Sequence, residues 1–348
     1  MQQIRLYQLA ATFTLLAACL PAPADEAGQY PNTAGFGVSF SRDEAWYRQC
    51  KRVEKQPMPQ APGVSAPSNC DATDLYYRKH SQAVVSQAEW DQVRACAIVR
   101  DDHTVLMMLY ANGFGVPHNA DIAIHHACML PFAAKAEMEA RVAHLARGPE
   151  AGKVFDQCDD ITSGRMGTLC ADLRESRDGR VRSVRLERLA ATLPAPARAA
   201  FERMQAAAGR YAAAAGAETD MQGTAAAAFV IQREGKLREQ FMQAALDAID
   251  GKLPPASAQD AAARDRELNA AYQQLMAAPS PQADWPERLG GSTVERKDVR
   301  AAERAWIAYR DAFAAFVTQL RPGPAPDAVK ALLTSQRIVS LKEIARSI

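Results

Sequence analysis

The sequence has almost no net charge and few aromatic residues. Among its 348 residues, 41 Lys and Arg oppose 40 Asp and Glu, and Phe, Trp and Tyr together make up 7%. A net charge of +1 gives no overall basic field that would attract nucleic acid or acidic lipid. The second half is instead rich in alanine, and small residues at that density favour closely packed helices over a β-sandwich. The predicted fold class is therefore all-α.

The sequence also lacks the motifs that mark common catalytic sites. It contains no Ser/His/Asp order, no H-E-x-x-H helix and no phosphate loop, and its carboxylates are scattered along amphipathic helices. His118, His125 and His126 lie near Cys128, but no C-x-x-C pair accompanies them, so a zinc site is not expected. We therefore predict a non-enzymatic protein with no catalytic residues, no metal and no cofactor.

Long apolar runs occur only near the N-terminus. Arg5 precedes the apolar stretch Leu6–Ala18, which is too short to span a bilayer and is typical of a signal peptide. Two cleavage sites follow: Leu16–Cys19 is a lipobox in which Cys19 would be lipidated, and Ala22–Ala24 fits ordinary cleavage. We expect a periplasmic protein of the cell envelope. It is either free or anchored to the outer membrane through Cys19, and the anchor is its only contact with a membrane.

Six further cysteines all precede residue 171: Cys50, Cys70, Cys96, Cys128, Cys158 and Cys170. An even set in an oxidising compartment predicts disulfide bonds, although six cysteines allow many connectivities. Their order along the chain favours three sequential pairs, Cys50–Cys70, Cys96–Cys128 and Cys158–Cys170. Such bridges would close loops of roughly 12 to 33 residues, and each would stabilise the fold by about 3 kcal/mol.

The first part of the chain has a simple predicted layout. Residues 1–24 form the signal peptide, and residues 25–43, rich in Gly, Pro and Asn without periodicity, form a tether. Ser86 and Glu89 make a capping box that begins a helix.

A turn between two helices follows. The sequence reads Tyr110-Ala111-Asn112-Gly113-Phe114-Gly115-Val116, and Asp121 stands five residues further on. Gly113 and Gly115 allow a tight turn, and Asn119 can cap the second helix. This segment resembles one SEL-one-like repeat, a relative of the tetratricopeptide repeat. The resemblance implies a helical repeat module at residues 44–148 that binds protein partners.

The C-terminal part contains three further motifs. They are Cys158–Cys170, Leu268-Asn269-x-x-Tyr272-x-x-Leu275 and Arg304-Ala305-Trp306-x-x-Tyr309-Arg310-Asp311. Together they resemble the LprI lysozyme-inhibitor-like domain of bacterial envelope proteins, over about residues 155–348. The resemblance implies a disulfide-stapled helical hairpin or bundle that binds a protein, and it supports the Cys158–Cys170 pair.

Two features depart from that family pattern. A helical insertion at about residues 183–253 separates the cysteine motif from the Leu-Asn motif. The family's cysteine after Tyr-Arg-Asp is replaced by Phe313 or a neighbour, so the last hairpin has no late disulfide and depends on packing.

Apolar residues near the C-terminus recur at spacings of three and four, which predicts one buried helix face. This seam consists of Val299, Ala302, Trp306, Tyr309, Phe313, Phe316 and Leu320. Ser292 with Glu295 is predicted to cap the helix, and Pro322-Gly323 to end it. Trp306 and Tyr309 are therefore expected in the core.

Other residues flank this predicted seam. Leu268, Tyr272 and Leu275 form a matching stripe on the preceding helix, and the layer is closed by Leu333, Leu341 and Ile344. Arg310 and Asp311 lie beside the seam, where they form either an ion pair at its edge or part of an interaction site.

Two binding functions fit these features. The family resemblance implies that the C-terminal domain inhibits lysozyme-type muramidases by occluding the cleft that holds their catalytic carboxylates. A c-type lysozyme is strongly cationic, yet from Ala258 onward 13 Lys and Arg oppose 11 Asp and Glu, so electrostatic steering would be local. Alternatively, both modules form an envelope adaptor or scaffold that binds another protein through the helical repeat, without inhibiting lysozyme.

Overall fold

The computed structural model describes residues 29–131, 133–320 and 325–348. Over these ranges the chain forms twelve α-helices and no strand, with one isolated antiparallel bridge between Arg288 and Glu295. None of these described helices is long and apolar enough to cross a membrane. The all-α prediction is confirmed. The predicted signal peptide with Cys19 and the predicted helix end at Pro322-Gly323 lie outside the described residues.

Short helices come first along the chain and long helices follow. The short ones are α1 (Ala45–Val53), α2 (Ala72–His80), α3 (Gln87–Val99), α4 (His103–Asn112), α5 (Ala120–Cys128) and α6 (Lys135–Arg147). The long ones are α7 (Gly164–Thr192), α8 (Ala195–Gly216), α9 (Ala226–Asp250), α10 (Ala258–Met276), α11 (Arg296–Leu320) and α12 (Ala325–Ser347).

A tight turn joins α4 to α5 at the predicted glycines. Gly113 ends α4 with a φ of +70°, in the left-handed region that favours glycine. Gly115 also has a positive φ of +65°, and a Cβ at this position would collide with Trp90. The Asn119 side chain accepts a hydrogen bond from the Ile122 N–H at 3.1 Å and so caps α5. The turn and its cap are as predicted, while the assignment to a repeat family stays a prediction.

One cluster of buried hydrophobic side chains, here called the N-terminal core, unites α1 to α6. It also includes Phe36, which is 7% exposed and packs edge-on against Trp46, with ring centroids 5.2 Å apart. The Asn32 N–H donates to the Cys128 carbonyl at 2.8 Å. The described part of the predicted tether is therefore packed onto the helices. Its Gly, Pro and Asn content predicted a loose segment, but Tyr30, Phe36 and Phe40 anchor it to the core, and their spacing follows no helical period.

Two disulfide bonds cross the N-terminal core, and their pairing differs from the sequential prediction. Cys50 of α1 is bonded to Cys128 of α5, and Cys70 is bonded to Cys96 of α3. Their Cα atoms lie 5.8 and 6.1 Å apart, respectively. The predicted pairs Cys50–Cys70 and Cys96–Cys128 are wrong because α1 packs against α5 and α6, which brings Cys50 to the end of α5.

A second cluster of buried hydrophobic side chains, the C-terminal core, unites the end of α7 with α8 to α12. Within it, α11 packs mainly against α8, and α10 packs against α12. Tyr211 of α8 stacks on Tyr309 of α11 with ring centroids 5.9 Å apart, and Phe201 meets Phe316 edge-on at 5.5 Å. Residues 183–253, predicted as an insertion, therefore supply one whole side of this core.

Helix α7 connects the two cores. The Cys158–Cys170 disulfide, present as predicted, holds its first turns against the preceding loop. Leu173 packs against the N-terminal core, whereas Leu186 belongs to the C-terminal core. One continuous helix thus takes part in the packing of both halves.

Candidate functional site

The aromatic motif of α11 forms a packing surface. Trp306 is 2% exposed and Tyr309 is 4% exposed. The remaining seam residues are buried as well, except for the half-buried Leu320: Val299, Ala302, Phe313 and Phe316. The most specific motif of the sequence therefore faces α8 and the protein interior, and it offers a partner little surface.

Helix α10 contributes the matching stripe. Leu268 and Leu275 are buried, Tyr272 is partly buried, and Asn269 is exposed. The stripe faces α12, where the predicted third row is also buried: Leu333, Leu341 and Ile344. Of the family-motif residues on α10, only Asn269 lies open to solvent.

Arg310 and Asp311 lie at the edge of the packing surface. The Arg310 guanidinium stands over the Trp306 ring, 5.0 Å from its centroid. It forms ion pairs with Asp265 of α10 at 3.2 Å and with Asp311 at 3.1 Å. The Asp311 side chain is 58% exposed, so its pair with Arg310 is open to solvent and adds little stability. The geometry is that of an ion pair at the edge of the seam, and it leaves Asp311 accessible.

A buried ionic network ties the C-terminal core together. The Glu218 carboxylate, just beyond α8, accepts hydrogen bonds from both terminal nitrogens of Arg337, at 2.6 and 2.9 Å, and from Arg233 at 2.8 Å. Arg337 Nε also donates to Glu303 of α11 at 2.9 Å. Burial raises the pKa of Glu303 against the opposing effect of Arg337. Pairing each buried charge avoids the large penalty of an isolated buried ion.

Helix α11 begins at Arg296, after a turn that replaces the predicted capping box. Ser292 is 1% exposed, and its hydroxyl donates to the Leu289 carbonyl at 2.8 Å. The Asp298 carboxylate accepts a hydrogen bond from the Glu295 N–H at 3.1 Å. The predicted Ser292–Glu295 box is wrong because burial of Leu289 places Ser292 inside the turn, where its hydroxyl cannot reach the helix.

The connection between α10 and α11 is organised around one arginine side chain. We call residues 277–295 the Arg296 loop. The guanidinium of Arg296 donates hydrogen bonds to four backbone carbonyls, those of Met276, Ala278, Pro286 and Arg288. Leu289 and Val294 anchor the loop in the C-terminal core and are 0% and 2% exposed. The loop is therefore held by its own backbone contacts and by two buried side chains.

The Arg296 loop presents an exposed tryptophan. Trp285 is 52% exposed, although Trp46 and Trp306 are buried. The Arg288 guanidinium stacks on the Trp285 ring, 4.3 Å from its centroid. Sequence periodicity could not find this residue because the loop has no repeating pattern. The available signal was a tryptophan between prolines in the connection of two motif-bearing helices.

Residues 256–341 match the family model described as Lysozyme inhibitor LprI. The match extends from just before α10 into α12 and includes the Arg296 loop. Neither the curated proteins nor the solved structures give a match to this chain. The predicted LprI resemblance is confirmed for these residues, here called the LprI-like segment, and it stays a prediction for residues 155–255.

The LprI-like segment forms hydrogen bonds with residues that lie outside the matched range. The connection of α8 to α9, residues 217–225, lies against the Arg296 loop. The Asp220 carboxylate accepts hydrogen bonds from the Thr293 N–H at 3.0 Å and hydroxyl at 2.9 Å, and the Gln222 side chain donates to the Gly291 carbonyl at 2.7 Å. Burial disfavours ionisation of Asp220, but hydrogen bonds from Thr293 and Gln222 outweigh it and lower its pKa. Residues 217–225 thus stabilise the Arg296 loop of the LprI-like segment from outside the matched range.

Of the histidines near Cys128, His126 is buried, His125 is partly buried and His118 is exposed. His103 Nδ1 and His126 Nδ1 lie 2.9 Å apart and share a hydrogen bond between α4 and α5. Burial, followed by the charges of His103 and His125, lowers the pKa of His126 to about 3. Within the described residues, no group of three or more His, Cys, Asp or Glu is placed to hold a metal ion.

Proposed function

We propose that this chain is a non-enzymatic protein of the cell envelope whose C-terminal helices inhibit a lysozyme-type muramidase by covering its cleft. The observation that carries this proposal is the match of residues 256–341 to the Lysozyme inhibitor LprI family. The proposed partner is a protein, and the proposed inhibition uses no catalytic group, metal or cofactor.

Occlusion is the kind of inhibition that a rigid helical body can provide. Most glycosidases place two carboxyl groups on either side of the glycosidic bond, in a cleft that must also admit the polysaccharide. A bound protein that fills this cleft excludes the sugar chain without reacting with it. The packing of α8 and α10 to α12 supports this role because it holds the connection of α10 to α11, the Arg296 loop, against the C-terminal core.

The predicted export signal supports a location in the compartment that contains peptidoglycan. Lipidation of Cys19 would tether the proposed inhibitor to the outer membrane. Intact mass spectrometry of the mature protein tests this part of the proposal, and we expect an acylated N-terminal Cys19. A mature chain that begins at Asp25 without acyl mass would remove the anchor and leave the inhibitor free in the periplasm.

The proposed inhibition is tested with the mature chain and a c-type lysozyme. Clearing of a peptidoglycan suspension is followed at rising concentrations of the chain, with serum albumin at equal concentration as the control for non-specific effects. Binding is measured in parallel by isothermal titration calorimetry. We expect dose-dependent inhibition together with a measurable heat of binding. Neither inhibition nor binding at tens of micromolar, in the range of weak protein complexes, would sink the proposal.

A groove in the N-terminal part favours the adaptor as a second candidate. It lies between the proline-rich loop before Cys70 and the end of α3. Val99 and Ile98 are 72% and 40% exposed there, although both are large apolar residues. Pull-downs from envelope extracts, with and without added lysozyme, separate the two candidates. An envelope protein captured by the wild type but not by Val99→Ser, in the absence of inhibition, would favour the adaptor.

A further inference from the structure

We propose that the Arg296 loop, with Trp285 and Arg288 at its surface, is the element that enters the cleft of a basic muramidase. This inference rests on the proposed function and adds to it the contact residues and the charge of the partner.

The exposure of Trp285 sets it apart from the buried tryptophans. Two of the four tryptophans, Trp46 and Trp306, are 3% and 2% exposed, whereas Trp285 is 52% exposed. A large indole left in water is an unfavourable arrangement unless a partner covers it, and Trp and Arg are the residues most enriched at the centres of protein interfaces. Arg288 lies over the ring at 4.3 Å, so the two side chains form one joint surface.

The Arg296 loop is rigid before any partner arrives. The Arg296 guanidinium binds four backbone carbonyls and so fixes the path of the backbone. The buried side chains of Leu289 and Val294 anchor the loop in the C-terminal core. Asp220 and Gln222 hold its far side through Thr293 and Gly291. Preorganisation of this kind removes much of the entropy loss that a flexible loop suffers on binding.

The loop carries a small excess of negative charge. Residues 277–295 contain Asp284, Glu287 and Glu295 against Arg288, and the count becomes −1 when Arg296, whose guanidinium lies inside the loop, is included. Glu295 pairs with Lys297 at 2.6 Å and Glu287 with Arg300 at 3.3 Å, but the Glu287 side chain stays 62% exposed. The segment from Ala258 onward has a net charge of +2, with 13 basic and 11 acidic residues, so the acidity is local to the loop. An acidic contact surface is the complement of a strongly cationic c-type lysozyme.

The loop also offers the chemical groups that a sugar-binding cleft accepts. The flat indole of Trp285 can occupy the place of a sugar ring against the cleft wall. The Arg288 guanidinium beside it is a donor for the carboxyl groups that flank the scissile bond. Acidic residues around the pair then face the basic surface outside the cleft.

The test compares three variants of the full mature chain in the muramidase assay: Trp285→Ala, Arg288→Ala and Val339→Ala. Val339 is the matched control, since it is also 52% exposed and lies on α12, away from the loop. We expect the half-inhibitory concentration to rise about 30-fold for Trp285→Ala and about fivefold for Arg288→Ala, as for residues at the centre of an interface. Val339→Ala should change it by less than about twofold, like a surface residue outside the contact.

A second measurement locates the contact on the enzyme. Tri-N-acetylchitotriose, an oligosaccharide that binds in a lysozyme cleft, is titrated into a complex of lysozyme with the fluorescently labelled chain. Release of the chain, seen as a fall in fluorescence anisotropy, is expected for a loop seated in the cleft. Retention of the chain at saturating sugar would show that it binds elsewhere and would overturn the inference.

Thermal melts check that each variant is folded. If Trp285→Ala does not fold, a variant with altered charge replaces it. Asp284→Lys with Glu287→Lys changes two exposed side chains, losing only the exposed ion pair of Glu287 with Arg300, and should weaken binding about tenfold at low salt, with a smaller effect at high salt. If the wild type inhibits and both loop variants match Val339→Ala, the loop inference fails while the proposed function stands. If the wild type neither inhibits nor binds, both fail.

Discussion

The two cores of this chain are stabilised in different ways. The N-terminal core is built from helices of 9 to 13 residues and is crossed by two disulfide bonds. The C-terminal core is built mainly from helices of 19 to 25 residues, and no cysteine follows Cys170. In place of cross-links it has the Tyr211–Tyr309 stack, the seam of α11 and the buried network around Arg337.

This difference follows from helix length. Nucleating a helix costs conformational entropy, and a short helix forms too few internal hydrogen bonds to offset that cost. Its packing face is also small. Cross-links that restrict the unfolded chain compensate for that deficit. A helix of more than five turns, such as α11, buries a continuous apolar face and needs no such help. The comparison therefore predicts that each core responds to a different kind of change.

The largest expected effect comes from the Cys50–Cys128 bond. Replacing both cysteines with alanine releases a constraint between residues 78 positions apart. The loop-closure entropy amounts to about 4.5 kcal/mol in the chain-entropy model. We expect the calorimetric transition of the N-terminal core to fall by many degrees while that of the C-terminal core stays in place. Hydrogen exchange assigns each transition to its helices.

The Cys158–Cys170 pair is the control for this prediction. Its loop spans only 12 positions and lies at the junction, so its removal should cost about 3 kcal/mol and affect α7 first. Loss of exchange protection in α8 and α11 after removal of Cys50–Cys128 would show that the cores unfold together, and the comparison would not hold.

The next effect belongs to the C-terminal core alone. Trp306 is 2% exposed, and Trp306→Ala leaves a cavity that should cost about 3–5 kcal/mol. We expect α8 and α11 to lose exchange protection, while the helices of the N-terminal core keep theirs. Asp311→Ala is the control, because its exposed ion pair contributes about 1 kcal/mol or less. If Trp306→Ala melts like the wild type but no longer binds a muramidase, Trp306 belongs to the interface and the Arg296 loop loses its role.

Local patterns predicted much of this fold. The spacing of three and four along α11 predicted its buried face because a helix repeats every 3.6 residues. The Ser86–Glu89 capping box and the Asn119 cap also formed where the sequence placed them. Each of these features depends on residues within one or two turns of each other, so a local pattern is sufficient.

Features that depend on distant residues were missed. The disulfide pairing required knowing that α1 packs on α5, and the bond from Arg337 to Glu218 joins positions 119 residues apart. The Arg296 loop was missed for a related reason: its four carbonyl contacts follow from one side chain folding back on an irregular backbone. No hydropathy pattern records such a contact.

The smallest expected effect is a response to acid in one core only. All six histidines lie between residues 80 and 144, and none belongs to the C-terminal core: His80, His103, His118, His125, His126 and His144. His126 is 5% exposed and faces His103, His125 and the Tyr110 ring, while Asp101 lies 3.4 Å from the far side of His103. Burial lowers the pKa values of both His103 and His126.

Acid is expected to destabilise the N-terminal core through its buried histidines, whereas the C-terminal core should respond in the opposite direction. Burial raises the pKa of Glu303 despite its ion pair with Arg337, so the folded state binds a proton at this carboxyl group more readily than the unfolded chain does. A carboxyl group with a raised pKa contributes stability at low pH that is lost as pH rises through its folded value. Mild acid should therefore leave this core unchanged or slightly more stable through Glu303.

The pKa of His126 falls from 6.5 in the unfolded chain to about 3 in the folded one. At pH values between these two pKa values, His126 is protonated in the unfolded state and neutral in the folded state. The free energy of unfolding therefore decreases as the pH falls through this range. From pH 7 to pH 5 the loss is about 2 kcal/mol.

Calorimetry at pH 7, 6 and 5 should show that the transition of the N-terminal core, which depends on Cys50–Cys128, moves to lower temperature. The transition of the C-terminal core, which depends on Trp306, should keep its temperature. His126→Gln should flatten this pH dependence, and His118→Gln, at an exposed position, should not. If both transitions move together, or His126→Gln keeps the full pH dependence, the acid response does not arise from the buried histidine pair.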